Sequence, residues 1–125
     1  MEFVEAPTFT RHVSDYLGDD EYNKLQNQPV ANPELGDLMP RTGGFRKLRW
    51  TDPRRGKGRR GGLRIIYYYF LSDQVIWLMT LYGKDEASDL TSKEKKALKS
   101  ALEAELRVRQ AKPMAREKKS WRTRE

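Results

Sequence analysis

The sequence predicts an α+β fold: a small antiparallel β-sheet with an N-terminal helical hairpin and a C-terminal helix. Three observations carry this expectation. Residues 63–71 (LRIIYYYFL) and 75–82 (VIWLMTLY) are apolar, β-branched and aromatic runs separated only by Ser72, Asp73 and Gln74, which is the pattern of a central hairpin. Phe9, Val13, Tyr16 and Leu17 recur at spacings of four and three, the period of one helix face. Thr91 and Glu94 form a capping box ahead of the stripe Leu98, Ala101, Leu102 and Leu106.

The elements follow in order. Residues 2–5 (EFVE) are a short strand. A first helix runs from Pro7 or Thr8 to Leu17, and Gly18 suits the left-handed residue that ends it. Asp19 then caps a second helix to about Gln28 that buries Tyr22 and Leu25, and Pro29, Asn32, Pro33 and Gly36 mark the turn beyond it. In residues 45–50 (FRKLRW), period-2 alternation puts Arg46, Leu48 and Trp50 on one face and Phe45, Lys47 and Arg49 on the other. Residues 51–62 (TDPRRGKGRRGG) are a glycine-rich basic connection that a polyanion would order. Pro113 limits the last helix, so residues 1–110 read as one domain and 111–125 as a flexible basic tail in which Trp121 is the exception. The helices are expected on one face of the sheet and a basic patch over its other side.

Charge is the most informative property for function. Residues 41–64 hold ten Lys or Arg and one acid, Asp52, a balance of +9 in a chain whose formal charge is +7. Residues 1–40 carry −6, 65–90 carry −3 and 91–125 carry +7. Solvated faces usually mix both signs, so this concentration beside the strands points to a polyphosphate partner.

Composition excludes other chemistries. With no cysteine and a single histidine, His12, the chain has no disulfide, no thiolate or imidazole metal cluster, and no pair of histidines for acid–base nuclease chemistry. Gly56, Lys57 and Gly58 lack the spacing and the trailing Ser or Thr of a phosphate-binding loop. Asp85, Glu86 and Asp89 read as complements to the dipole of the following helix rather than as a Mg²⁺ site. No cofactor and no metal are therefore expected. No apolar run reaches the length of a membrane span, and residues 1–9 lack the pattern of a signal peptide, so a soluble, reducing, cytoplasmic setting is the expectation. Tyr67, Tyr68, Tyr69 and Trp77 offer stacking faces but sit in apolar strands, where aromatics belong to the core. His12 reads as a solvated residue.

Glu34 to Asp37, then Gly43-Gly44-Phe45-Arg46-Lys47-Leu48-Arg49, then residues 56–68 (GKGRRGGLRIIYY) and Leu81-Tyr82-Gly83-Lys84-Asp85-Glu86 are ordered motifs with compatible spacing. Together they resemble the RelE/HigB superfamily of bacterial toxins, in its HigB-like branch, over about residues 3–106. The resemblance implies a RelE-like fold and a ribosome-dependent endoribonuclease that cleaves mRNA in the decoding site. It also implies a cognate helix-turn-helix antitoxin, with operator DNA engaged only through that antitoxin, and no membrane partner. Here the chain departs from the best-known RelE pattern: Asp85 follows Gly83-Lys84 where that pattern has Arg, and Leu90-Thr91 stand where it has Tyr.

Cleavage of RNA through its 2′-hydroxyl requires a base for that hydroxyl, stabilisation of charge on the phosphate, and an acid for the departing 5′-oxygen. Lys47, crowded by Arg46, Arg49 and Arg64, is the candidate base, on the resemblance and because like-charge pressure disfavours an ammonium. Arg64 and Arg49 are the candidate phosphate clamp, since a guanidinium fork matches two phosphate oxygens. Tyr82 and Lys84, two apart at the end of the last strand, are both candidate acids. Arg46, Arg54, Arg55, Lys57, Arg59 and Arg60 are the candidate RNA-binding residues, the loop members for ribosomal RNA. Two other functions fit the same charge: a non-catalytic RNA- or ribosome-binding module, and the gyrase-poisoning sister branch of the superfamily, against which Lys47 and Arg49 with Arg64 argue.

Overall fold

The computed structural model describes residues 1–50, 62–83 and 89–111, and in it the elements run β1 (Glu2–Glu5), α1 (Pro7–Tyr16), α2 (Asp19–Ala31), β2 (Asp37–Leu38), β3 (Arg46–Trp50), β4 (Leu63–Phe70), β5 (Val75–Gly83) and α3 (Ser92–Ala111). The five strands form one sheet in the order β1-β5-β4-β3-β2. The α+β class, the N-terminal pair of helices and the C-terminal helix are as the sequence predicts. The sheet, however, is mixed: β1 lies parallel to β5, with Phe3 opposite Ile76, while the remaining pairs are antiparallel. Nothing local to residues 2–5 encodes that choice. The strand is delivered to the edge of β5 by the docking of α1.

The helices also cover both faces rather than one. On the first face, Phe9, Leu17 and Leu25 from the α1–α2 region pack on Leu48, Leu63, Ile65, Tyr67, Ile76 and Leu78. On the second, Leu98 and Leu102 of α3 pack on Phe45, Ile66, Phe70 and Val75. The period-2 alternation of β4 explains why: its odd residues 63, 65 and 67 face α1 and α2, and its even residues 66 and 70 face α3. A register shift at Ile66/Tyr67 locally interrupts the pairing of β4 with β5. The four aromatics Tyr67, Tyr68, Tyr69 and Trp77 are all part of these two packed layers, as core residues should be.

Local chemistry sets the helix ends. Gly18 is extended (φ −80°, ψ 177°) and serves as the N-cap of α2, so it is not a left-handed terminator and Asp19 is the first helical residue. Asp19, Asp20 and Glu21 still favour that end through the helix dipole. The helix passes Pro29 and stops at Ala31, because a proline one turn from the C-terminus removes a single backbone bond and its ring is buried against the core. The capping box of α3 forms as expected: Thr91 N–H donates to Glu94 Oε1 at 2.8 Å, and Glu94 N–H to Thr91 Oγ1 at 3.1 Å. Glu5 staples β1 to both N-terminal helices, accepting from Thr10 Oγ1 (2.7 Å) and the Tyr22 hydroxyl (2.5 Å).

One buried tyrosine shapes the far edge of the sheet. The Tyr67 hydroxyl donates to the Pro33 carbonyl (2.7 Å) and accepts from the Gly36 N–H (3.0 Å), and burial raises it above the usual phenol range. Gly36 is forced by this closeness: a Cβ there would stand 3.0 Å from both the Lys47 carbonyl and the Tyr67 ring. Tyr67→Phe leaves both backbone groups without their partner, and the expected cost is about 1–3 kcal/mol by urea denaturation. An unchanged unfolding midpoint would show that residues 33–36 do not depend on the phenol.

Candidate functional site

The strand register brings part of the predicted site together. Arg49 lies opposite Arg64, and Arg64 lies opposite Tyr82, so three neighbouring strands present Arg49, Arg64 and Tyr82 as one cross-strand row. Directly opposed residues have Cβ atoms about 4.5–5.5 Å apart, within reach of a single phosphate. Lys47 is two residues from Arg49 and therefore on the same face. This is the α3 face: Leu98 and Leu102 of α3 pack on Ile66 and Phe70, and Tyr82 of the row borders the same cluster. The basic patch and the third helix share one face, which corrects the expectation of a bare cationic side.

Arg64 is 7 % exposed, and its Nη1 donates to the Leu63 carbonyl at 3.3 Å. Arg49 is exposed. Among the described residues, no carboxylate forms an ion pair with either guanidinium. Two cations side by side, without such a partner among the described residues, form a site for an anion.

Lys47 is placed differently from the expectation. Among the described residues it pairs with Asp89, its Nζ 3.7 Å from Oδ1, whereas the sequence predicts like-charge crowding. Arg46 cannot contribute to such crowding, since it projects from the other face and donates to the carbonyls of Gly36 (2.9 Å) and Glu34 (3.2 Å). Arg46 is thus a tie for the loop before β2 rather than a member of the row. Asp89 is the residue that the sequence pattern undervalued. It accepts from Leu90 N–H (2.7 Å) and pairs with Lys95 (3.3 Å), joining Lys47 to the start of α3. The Leu90 N–H is the main reason its carboxyl lies below the ordinary aspartate range; slight burial opposes this, and Lys95 and Lys47 reinforce it. No pattern in sequence links residues 47, 89 and 95, because their meeting depends on how α3 returns across the sheet.

Tyr82 forms the third position of the row. Its hydroxyl is enclosed and finds no hydrogen-bond partner among the described residues. It borders a cavity of about 350 Å³ under the start of α3, lined also by Thr80, Leu90, Glu94 and Leu98. Burial is the main cause that pushes this phenol above its usual range; Asp89 adds to it, Arg64 opposes it and Glu94 adds to it. The group therefore keeps its proton at neutral pH, the state a proton donor needs. Lys84, the other candidate acid, lies outside the described residues, as do Arg54, Arg55, Lys57, Arg59 and Arg60.

His12 is on the exposed surface of α1, with Nδ1 3.8 Å from Asp15. Among the described residues no group of His, Cys, Asp and Glu could hold a metal ion, and no helix is long and apolar enough to cross a membrane. No protein-family model matches the chain.

Proposed function

We propose that the chain is an endoribonuclease toxin of a toxin–antitoxin pair, similar to the RelE/HigB superfamily, that cuts mRNA on the ribosome. The observation that carries the reading is the row Arg49–Arg64–Tyr82 with Lys47 beside it: two cations with no carboxylate partner among the described residues and one protonated phenol on adjacent strands. Arg49 and Arg64 clamp the scissile phosphate and stabilise the charge that develops on it. Tyr82 protonates the departing 5′-oxygen, and the Lys47 amine takes up the proton of the attacking 2′-hydroxyl. Asp89 holds Lys47 in place. The surplus positive charge on residues 41–64 binds the RNA backbone, and a small helix-turn-helix antitoxin is the partner that covers it.

The enclosed Tyr82 hydroxyl favours a second reading, in which the row binds RNA or the ribosome without chemistry. For catalysis the enclosed hydroxyl has to become accessible, so that an RNA oxygen can reach the phenol. The two readings separate in one experiment. Purified protein added to ribosomes programmed with an mRNA is expected to yield fragments ending in 2′,3′-cyclic phosphate and 5′-hydroxyl, because the 2′-oxygen is the nucleophile. Ribosome association that leaves the mRNA intact would overturn the nuclease and support the binding module.

A further inference from the structure

The row has a neighbour at the edge of the sheet. β2 pairs with only two residues of β3, Asp37 opposite Lys47 and Leu38 opposite Arg46. Before Asp37 the chain peels away, held off by Tyr67 on Pro33 and Gly36 and by Arg46 on Glu34 and Gly36. The result is a groove of about 340 Å³ whose walls include Gln28, Leu35, Asp37, Lys47, Arg49 and Trp50.

The backbone of the groove is as informative as its side chains. Met39 N–H donates to the Phe45 carbonyl at 2.9 Å. In an antiparallel ladder hydrogen-bonded pairs alternate with non-bonded ones, so Asp37 and Lys47 form the next bonded pair and Arg49 would be the one after it. Residue 35 would have to oppose Arg49, but Leu35 turns its N–H to the Asn32 carbonyl (3.0 Å). The N–H and C=O of Arg49 therefore face the groove, with no strand residue opposite them among the described residues. A backbone donor and acceptor side by side, with no strand partner among the described residues, an indole at one wall, a carboxylate and a primary amide make up a surface that can pair with the edge of a flat heterocycle. The Arg49 side chain meanwhile stands in the cation row, so one residue serves both places.

We propose that this groove is a nucleobase subsite. It takes the base of a nucleotide whose phosphate lies on Arg49, and the Asp37 carboxylate makes it favour amino-bearing bases (adenine, cytosine, guanine) over uracil, because a carboxylate accepts from an exocyclic amine. The inference rests on the row being an RNA-binding surface, whether or not it is catalytic. A peptide strand is the other occupant that an open β-edge could take. RNA is favoured because Lys47 and Arg49 flank the groove and continue into cations for the phosphate.

The test is a titration of the full chain, observed by amide NMR, with each of the four ribonucleoside 5′-monophosphates and with inorganic phosphate. The nucleotides are expected to move the Arg49 backbone amide and the Gln28 side-chain amide, while phosphate alone leaves Gln28 unmoved. AMP, CMP and GMP should bind about tenfold more tightly than UMP, and Asp37→Asn should erase the difference. Equal affinity for all four nucleotides, or phosphate alone reproducing the Gln28 shift, overturns the proposal. So does an extended peptide that moves Arg49 where nucleotides do not. Cleavage is scored separately with ribosomes. Cleavage with indifferent nucleotide binding overturns the groove and leaves the nuclease. Base-selective binding without cleavage upholds the groove and overturns the nuclease.

Discussion

Arg64→Ala is expected to lower mRNA cleavage by on the order of 10² to 10³, the usual loss when one preorganised donor to a reacting oxyanion is removed. Arg64 is chosen because it is the middle of the row: Arg49 faces it on β3 and Tyr82 faces it on β5. It is also the more rigid of the two cations, at 7 % exposure against an exposed Arg49. Arg64→Lys should recover only part of the rate, since an ammonium supplies charge without the fork that spans two phosphate oxygens. Arg64→Met keeps the apolar stem and serves as the folding control, because a shortened side chain at a buried position can also cost packing. Cleavage rates measured on programmed ribosomes, with thermal melts of each variant, decide the matter. Wild-type cleavage by a folded Arg64→Ala protein would remove the row from the mechanism.

The largest expected effect on stability is Phe9→Ala, at about 3–5 kcal/mol. Phe9 is fully buried, is the one buried residue of α1, and has the Tyr22 ring at 5.8 Å. It lies in the layer shared with Ile76 and Leu78, so its loss opens a cavity between α1 and the strand against which β1 docks. Domains of this kind are stable by roughly 5–15 kcal/mol, so the variant would sit near its threshold. Urea denaturation should show a lower midpoint with an unchanged slope. A loss under 1 kcal/mol would mean that α1 is not anchored through this ring.

The hairpin of β4 and β5, the capping box at Thr91 and Glu94, and the shared face of Phe45, Lys47 and Arg49 depend on near neighbours, and each appears where its residues predict. The parallel β1–β5 pair, the second covered face and the approach of Asp89 to Lys47 depend on contacts between distant residues. Local periodicity carries no information about these. Arg46 shows the boundary between the two kinds of inference. Alternation placed it on the face opposite Lys47, yet its charge alone suggested RNA; its hydrogen bonds to Glu34 and Gly36 show that its cation serves the loop. The groove at Asp37 was invisible for the same reason, since it exists only because β2 stops after two residues.

The parallel seam between Glu2–Glu5 and Val75–Gly83 has a consequence for how the molecule comes into being. The first strand is made first but has no lattice to join until some seventy residues later, once β5 exists. Closing so long a loop carries an entropic barrier that the β4–β5 hairpin, bridged by a four-residue turn, does not face. In the nascent chain the row Arg49–Arg64–Tyr82, which needs only β3, β4 and β5, can therefore assemble while the N-terminal segment is still waiting for its place.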